Sequence, residues 1–245
     1  MKQYGLIGYP LGHSFSKKYF TEKFENEHID ARYDLYELDD ISKFTTIIEN
    51  TELNGLNVTI PYKEKVIRFL NELDDSSEKI GAVNVIKFIR QNNKLILKGY
   101  NSDAIGFENA LKPYLKSYHK NALILGTGGA SKAINYVLQK LDIKTTFVSR
   151  TTSTGKLTYN ELNKLTIDSN LLIVNASPLG TFPNTTQCPD IPYQYLTQNH
   201  ILFDVVYNPA ETLFMKKGKE KGALVINGEG MLTGQALAAW KIWNE

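Results

Sequence analysis

The sequence predicts an α/β protein with two domains. Its apolar segments are short, continuous and β-branched, and they alternate with longer stretches of helical period, which is the pattern of parallel strands joined by helical crossovers. The 245 residues, 42% of them hydrophobic, allow one large core or two smaller ones. The pattern of strand-like and helical segments changes after Asp103. We therefore expect one domain over residues 1–103, to which 228–245 return, and a second over 104–227.

Strands and helices alternate in the N-terminal part of the chain. The stretch after His13 predicts a helix with aromatic residues on one face. Asp39 and Asp40 are suited to cap a second helix. The strands around these helices are expected at Tyr4–Ile7, Tyr33–Leu38 and Leu56–Ile60.

The remainder of the first domain is expected to contain a helix and a hairpin. Proline is favoured in the first helical turn, so Pro61 is expected to open a helix that carries Lys63 in that turn. β-branched runs on both sides of the polar residues Gln91–Asn93 predict a hairpin over Ala82–Lys98.

The second domain is expected to be a doubly wound Rossmann sheet, because five strand patterns recur with helical or turn-rich stretches between them. Thr151–Thr158 is rich in Thr, Ser and Gly and is expected to be a flexible loop. Met231–Trp243 predicts a final helix, and we expect it to pack back on the first domain. The five strands are expected at Ala122–Leu125, Thr145–Val148, Leu171–Val174, Ile201–Val205 and Ala223–Ile226.

Charge and composition argue against several classes of function. The chain has 28 Lys and Arg against 26 Asp and Glu, a formal net charge of +2, and it has no long run of one sign, so nothing indicates binding to nucleic acid or to an anionic membrane. Cys188 is the one cysteine, and no Cys and His residues have metal-ligand spacing, so neither a disulfide nor a metal is expected. No apolar stretch approaches about 18 residues, and the N-terminus lacks a signal-peptide pattern. We expect a soluble cytoplasmic protein.

Glycines follow the first strand of the second domain where a nucleotide can bind. Gly126, Gly128 and Gly129 lie between this strand and a helix, and the small residue Ser131 occupies the third position of the usual dinucleotide pattern. A pyrophosphate needs a tight turn, close approach of the backbone and N–H groups at a helix N-terminus, all of which these glycines permit. An ordinary strand-to-helix turn is the alternative, but the second strand that follows favours a dinucleotide site.

The end of that second strand indicates which dinucleotide binds. NAD sites usually carry Asp or Glu there to accept a hydrogen bond from the ribose 2′-hydroxyl, whereas this chain has Ser149, Arg150 and Thr151. Asp142 precedes the strand and therefore lies at its other end. A guanidinium can hold a 2′-phosphate through charge-assisted hydrogen bonds, so Arg150 favours NADP. An exposed loop arginine is the alternative.

Polar residues of the first domain form a second candidate site. Asn57 and Thr59 share one strand face. A cation in the first turn of a helix opposes the helix dipole, so local stability does not explain Lys63, and a lysine of lowered pKa can exchange protons near neutral pH. A solvated surface lysine is the alternative. Asp103 is suited either to cap a helix or to pair with Lys63 across a cleft.

Two hydroxyl side chains, Ser14 and Ser16, lie near the expected start of the first helix. They are suited either to cap that helix or to hold a carboxylate at its N-terminus.

Seven short motifs occur in one order from the first strand towards the last helix: Gly12-His13-Ser14-Phe15-Ser16, Asn57–Lys63, Gly81–Asn84, Gly99–Asp103, Gly126–Ala130, Asn175–Gly180 and Asp204–Pro209. In that order they resemble the motifs of the shikimate dehydrogenase family. Gly228, Met231, Gly234, Gln235 and Ala236 resemble the family's closing motif. Seven motifs in order are far more specific than any one of them.

The resemblance implies an enzyme that reduces 3-dehydroshikimate to shikimate with NADPH and without a metal, in a cleft between a substrate domain and a nucleotide domain. Lys63 and Asp103 would be its catalytic pair, because an ammonium can stabilise or protonate the oxygen on which charge develops and a carboxylate can orient it. Ser14 and Ser16 would bind the substrate carboxylate. The other substrate-binding residues implied are Asn57, Thr59, Asn84, Tyr207 and Gln235. The cofactor-binding residues implied are Gly126, Gly128, Gly129, Ala130, Ser149, Arg150, Thr151 and Gly228.

The sequence departs from the family around the nucleotide site. Ser149-Arg150-Thr151 stands for the usual Asn-Arg-Thr, and Thr154 stands where a second basic residue is often found, with Lys156 as the candidate substitute. The region Thr151–Lys164 is short, so a helix there is expected to be reduced to a turn. The alternatives in function are a quinate/shikimate dehydrogenase with NAD preference and a non-catalytic ligand-binding regulatory module. In each case the partner is a small molecule, and the chain is expected to act as a monomer or homodimer.

Overall fold

The computed structural model describes residues 1–12 and 14–245, and His13 of the first motif lies outside the described residues. The chain forms two compact units. The N-terminal unit contains Met1–Ser102 and Ala236–Glu245, and the C-terminal unit contains Asp103–Gln235.

A mixed sheet organises the described part of the N-terminal unit, with strands β1 (Lys2–Gly8), β2 (Ala31–Glu37), β3 (Gly55–Val58), β4 (Glu72–Leu73), β5 (Val85–Gln91) and β6 (Lys94–Tyr100). Their order is β2-β1-β3-β5-β6-β4. The strands β1, β2 and β3 run parallel, and β5 is antiparallel to both of its neighbours. Asn92 and Asn93, with φ of 50° and 59°, form the turn between β5 and β6, as residues of a two-residue hairpin turn must. The predicted hairpin is thus confirmed.

The helices of this unit are α1 (Phe15–Asn26), α2 (Phe44–Asn50) and α3 (Asp75–Ile80). The helix α3 and the short strand β4 before it were not expected from the sequence. Asp74 caps α3 by accepting hydrogen bonds from the backbone of Ser76 and Ser77, and Gly81 ends it with a φ of 68°. These are recognisable end signals, but they enclose too few residues for a helical period to be visible.

The prediction that a helix begins at Pro61 is wrong. Pro61 lies in a turn, and only a 3₁₀ helix, Lys65–Phe69, follows it. Lys63 itself lies in a turn before this 3₁₀ helix, and its carbonyl accepts a hydrogen bond from the N–H of Val83 at 2.7 Å. Lys63 therefore does not lie in the first turn of a helix, and the argument from the helix dipole no longer applies to it.

The aromatic layer between α1, the sheet and the end of the last helix, α8 (Glu229–Asn244), forms one face of the N-terminal core. Trp243 stacks on Tyr4 with ring centroids 4.7 Å apart, and its indole N–H donates to the carbonyl of Ile86 at 3.1 Å. Gly55 lies directly beneath the indole, where a Cβ would overlap the ring. The end of α8 thus packs on the first sheet, as the sequence predicted.

The C-terminal unit contains an entirely parallel sheet in its described residues, with strands β7 (Asn121–Leu125), β8 (Lys144–Ser149), β9 (Lys156–Thr158), β10 (Leu172–Asn175), β11 (Ile201–Asp204) and β12 (Leu224–Ile226). Their order is β12-β11-β10-β7-β8-β9, and pairing is parallel throughout. This is the strand order of a dinucleotide-binding Rossmann fold. The predicted loop Thr151–Thr158 is partly wrong, because its last residues form β9 by pairing with the end of β8.

The helices of the C-terminal unit are α4 (Ser102–Leu111) from its second residue, α5 (Gly129–Lys140), α6 (Lys164–Ser169) and α7 (Leu213–Lys219), together with the beginning of α8. A 3₁₀ turn over Tyr159–Glu161 separates β9 from α6, so the helix expected to be reduced between Thr151 and Lys164 is indeed a turn. Among the described residues, no helix is both long enough and apolar enough to cross a membrane.

Gly55→Ala is expected to destabilise the N-terminal unit by about 1 to 3 kcal/mol, because the added methyl group must displace the Trp243 indole from a packed core. The two tryptophans, Trp240 and Trp243, both belong to this unit, so urea unfolding followed by tryptophan fluorescence reports on it. Gly12→Ala is the control, because a Cβ at Gly12 would meet nothing within 4 Å. Equal stability of the two variants would contradict the packing argument.

Candidate functional site

The loops after β1 and β3 carry the first group of candidate residues. These strands are parallel neighbours, with Ile7 opposite Val58, so the loops leave the same edge of the sheet. Thr59 follows β3 and donates its N–H to the carbonyl of Ile7 at 2.9 Å. Ser14 is the N-cap of α1 and accepts a hydrogen bond from the N–H of Lys17 at 3.3 Å. Ser14 therefore caps the helix.

Ser16 lies in the first turn of α1, one residue after its start, and is partly buried. It is not the cap of the helix. It lies close enough to the hydroxyl of Tyr33 to oppose, in part, the rise in the pKa of Tyr33 that burial causes.

Two candidate amides form one buried network at this edge. Asn57 and Asn84 are 5% and 2% exposed. The amide nitrogen of Asn57 donates to the carbonyl of Asn84 at 3.3 Å. The amide of Asn84 donates to the hydroxyl of Ser102 at 3.0 Å and accepts from its backbone N–H at 2.7 Å. The network thus holds Ser102, the first residue of α4, in place. Asp103 is the residue that follows it.

Tyr33 and Ser102 also belong to this network, although neither was expected from the sequence to have a role. Tyr33 donates its hydroxyl hydrogen to Oδ1 of Asn57 at 2.8 Å, and Ser102 is fully buried. In the sequence, Tyr33 resembles an ordinary aromatic strand residue. Ser102 stands inside the motif Gly99–Asp103, and its place there was the available signal.

The candidate catalytic residues have different environments. Lys63, in the N-terminal unit, is partly buried. Asp103, in the C-terminal unit, is 6% exposed and lies in the first turn of α4 after its first helical residue, rather than at the N-cap.

The glycine turn after β7 fits a pyrophosphate. Gly126 has a φ of 117°, a conformation that residues with a Cβ rarely adopt. Gly128 is the N-cap of α5, is exposed, and has nothing within 4 Å of where a Cβ would be. Ser131 is fully buried and donates its hydroxyl hydrogen to the carbonyl of Gly128 at 2.6 Å, which holds the turn. With Gly129 and Ala130 in the first turn of α5, open backbone N–H groups are available to an anion.

The end of β8 carries the residues that are candidates for binding a 2′-phosphate. Arg150 is exposed directly after β8, and the hydroxyl of Ser149 accepts from the N–H of Thr151 at 3.2 Å. Burial raises the pKa of Tyr159, and the positive charge of Arg150 partly opposes that rise, so these two side chains are near each other. Lys156 is opposite Phe147 in the β8–β9 register, three residues before Arg150. Its backbone thus lies further from the strand ends than that of Arg150.

A buried carboxylate joins the ends of β10 and β11. Asp204 is fully buried and accepts hydrogen bonds from Asn175 at 2.9 Å, from the N–H of Val206 at 3.0 Å and from the hydroxyl of Thr212 at 2.6 Å. Burial raises the pKa of Asp204 to about 6, although these bonds lower it. Thr212 in turn caps α7. The motifs of Asn175 and Asp204 were noted in the sequence, but the connection between them was not foreseen.

The remaining candidates follow these strands. Gly228 donates its N–H to the carbonyl of Val206 at 3.1 Å and lies against Val205, where a Cβ would overlap the backbone. Tyr207 is 41% exposed. Gln235 lies in α8, whose backbone approaches Gly106 of α4 so closely that a Cβ on this glycine would lie 2.8 Å from the Gln235 nitrogen.

Within the described residues, no group of three or more His, Cys, Asp or Glu side chains is arranged to hold a metal ion.

Comparison with known proteins identifies relatives along nearly the whole chain. Residues 6–86 match the family model of the shikimate dehydrogenase substrate binding domain. A shikimate dehydrogenase (NADP(+)) of Clostridium beijerinckii is 36% identical, and the match covers 100% of this chain and 93% of the relative. One of Methanosphaera stadtmanae is 34% identical, with 98% and 90% covered.

A solved structure agrees with these relatives. The crystal structure of a shikimate dehydrogenase in complex with NADP⁺ superposes with a TM-score of 0.86 at 30% identity, covering 99% of this chain and 89% of the other.

Ser14→Ala is expected to lower the stability of the N-terminal unit by about 0.5 to 2 kcal/mol, because it removes the cap of α1. Ser16→Ala is the matched control, since Ser16 lies in the same turn but is not the cap. Urea unfolding of both variants, followed by tryptophan fluorescence, measures the difference. Two variants of wild-type stability would show that the bond from Lys17 to Ser14 contributes nothing.

Proposed function

Because the chain belongs to the shikimate dehydrogenase family, we propose that it interconverts 3-dehydroshikimate and shikimate, with NADP(H) as the redox partner. The observation that carries this function is the match to shikimate dehydrogenases (NADP(+)) over 98% to 100% of the chain at 34% to 36% identity. The protein is an oxidoreductase that acts on a CH–OH group, as a step in the biosynthesis of chorismate and the aromatic amino acids.

The candidate residues of each unit indicate its role. The N-terminal unit binds the substrate, and the Rossmann unit binds NADP(H). NADPH supplies the hydride for the carbonyl carbon when it is bound. The pyrophosphate is held by Gly126, Gly128, Gly129 and Ala130 at the open N-terminus of α5. Ser149, Arg150 and Thr151 hold the 2′-phosphate, and Gly228 lets the backbone pass close to the end of β11.

The substrate is an acid with several hydroxyl groups, and the N-terminal unit offers matching polar groups. Ser14 and Ser16 hold the carboxylate at the N-terminus of α1, where the helix dipole favours an anion. Thr59 and Asn84 bind the hydroxyl groups together with Gln235, Tyr207 lies near the carboxylate, and Asn57 is a further substrate-binding residue. Of these residues, Gln235 and Tyr207 belong to the C-terminal unit. Capping and carboxylate binding by Ser14 are compatible, because a hydroxyl both accepts and donates a hydrogen bond.

Lys63 and Asp103 carry the proton chemistry. As hydride reaches the carbonyl carbon, negative charge develops on the oxygen, and the Lys63 ammonium stabilises this charge and gives the oxygen its proton. The Asp103 carboxylate orients the ammonium. In the reverse direction Lys63 takes the proton from the hydroxyl.

A cytoplasmic location suits this function, because a chain with one cysteine needs no oxidising compartment. The protein acts as a monomer or homodimer. Sedimentation velocity distinguishes those two states.

The decisive experiment follows NADPH formation with shikimate and with quinate, each with NADP and with NAD. We expect shikimate with NADP to give the highest kcat/KM. Preference for NAD, or for quinate, would support the alternative enzyme, and no turnover with any pair would support a binding module.

Arg150→Ala is expected to raise the KM for NADP about ten- to hundredfold, because one charge-assisted interaction with the 2′-phosphate is lost. The KM for NAD should barely change, since NAD has no such phosphate. Lys144→Ala is the control, because Lys144 is exposed at the opposite end of β8. Equal changes for NADP and NAD would contradict the assignment of Arg150.

Lys63→Ala is expected to lower kcat by about 10² to 10⁴ with a small change in the KM for shikimate, because its charge acts mainly in the transition state. Steady-state kinetics measure both constants. Lys65→Ala, at an exposed residue nearby, should match the wild type. A near-normal kcat for Lys63→Ala would rule out the mechanism.

If the two residues act as one unit, Lys63→Ala combined with Asp103→Asn should be little slower than the poorer single variant. Strictly multiplicative losses would contradict the pairing but not the reaction.

A further inference from the structure

The side chain of Tyr33 reaches across a strand to a substrate-binding candidate. Tyr33 in β2 is opposite Tyr4 in β1, and Asn57 in β3 is opposite Leu6, two residues further along β1. All four side chains therefore lie on the same face of the sheet. Since β1 lies between β2 and β3, the two polar side chains are separated by two strand spacings of about 4.8 Å each. A phenol and an amide together span this distance, and their hydrogen bond is 2.8 Å long.

The partners of Asn57 determine how its amide is oriented. The carbonyl of Asn84 can only accept, so the group facing it must be Nδ2 of Asn57. Oδ1 therefore faces Tyr33, whose hydroxyl must be the donor. Burial raises the pKa of Tyr33 well above its ordinary value, which keeps that hydrogen in place at neutral pH. The flipped amide would place Oδ1 against the Asn84 carbonyl, and two acceptors cannot form a hydrogen bond.

This arrangement leaves Asn57 with an N–H group for a ligand. Its oxygen accepts from Tyr33, and one hydrogen of Nδ2 is directed to the Asn84 carbonyl. The second Nδ2 hydrogen has no acceptor among the described residues of the N-terminal unit. Asn57 can therefore donate to an oxygen atom of a ligand, such as that of a hydroxyl group.

We propose that Tyr33 is a positioning residue for substrate binding: its hydroxyl fixes the Asn57 amide as a hydrogen-bond donor to a substrate oxygen. This inference rests on the proposed function, which places Asn57 at the substrate. Tyr33 does not touch the substrate. Its ring, stacked on Phe20 at 4.8 Å, holds the hydroxyl in place beneath α1, near Ser16.

A matched pair of variants separates this role from packing. Tyr33→Phe removes the hydroxyl and keeps the ring. Tyr4→Phe makes the same change at the paired position of the neighbouring strand, where the buried hydroxyl has no hydrogen-bond partner among the described residues. Both tyrosines are buried, with exposed fractions of 1% and 0%. A role in packing alone predicts similar behaviour for the two variants.

The measurements are the Kd of shikimate by calorimetry without nucleotide and the steady-state constants. Tyr33→Phe should raise the Kd and KM for shikimate roughly tenfold, the equivalent of one hydrogen bond. Its kcat and its KM for NADP should stay within about twofold of the wild type, and Tyr4→Phe should match the wild type throughout. A Kd for Tyr33→Phe equal to that of the wild type, or an equal loss in Tyr4→Phe, would overturn the proposal.

A double-mutant cycle tests whether Tyr33 acts through Asn57. In an Asn57→Ala background, Tyr33→Phe should change the Kd of shikimate by less than about twofold, because no amide is left to orient. The same tenfold loss in both backgrounds would overturn the positioning role. Absence of shikimate turnover in the wild type would contradict the proposed function itself, whereas an active wild type with an unaffected Tyr33→Phe variant contradicts only the role of Tyr33.

Discussion

Buried polar side chains at the ends of parallel strands must find hydrogen-bond partners, and this constraint shapes both units. An unpaired buried amide or carboxylate costs about as much as several favourable contacts contribute. In the N-terminal unit, Asn57 at the end of β3 meets this constraint through Tyr33 and the backbone of Asn84. Asn84 meets it through Ser102. Strands that are distant in sequence are thereby held in one arrangement with Ser102.

The C-terminal unit meets the same constraint with a charge. Asp204 has three hydrogen-bond donors, yet burial still raises its pKa to about 6. An apolar side chain at this position would avoid the cost of desolvation, but it could not join Asn175, the backbone at Val206 and the cap of α7. What the carboxylate provides is a defined geometry for the two loops that leave β10 and β11, at the sheet edge where Rossmann folds bind their nucleotides.

The sequence predicted most of the architecture because the strands of a parallel sheet are continuous apolar runs, and the glycines at Gly126 and Gly128 mark the first turn of the Rossmann unit. It failed where local pattern and tertiary pairing disagree. Pro61 is a favourable first residue for a helix, but it lies in a turn, and the carbonyl of Lys63 accepts a hydrogen bond from the N–H of Val83. Thr151–Thr158 has a loop composition, yet its end pairs with β8. The order of motifs indicated the candidate site residues, but not the hydrogen bonds that orient them.

Tyr4 and Tyr33 show why those hydrogen bonds escape a sequence. They are neighbours in strand register, they point to the same face, and both are buried in the same aromatic layer. Each satisfies the requirements of a strand residue at a packed face, where a large ring contributes most of the stabilising area. Only the third strand differentiates them, because Asn57 lies within reach of the Tyr33 hydroxyl while the Tyr4 hydroxyl has no partner among the described residues. A role of this kind depends on a pairing between β1, β2 and β3 that no local pattern contains, and it becomes visible once the register is known.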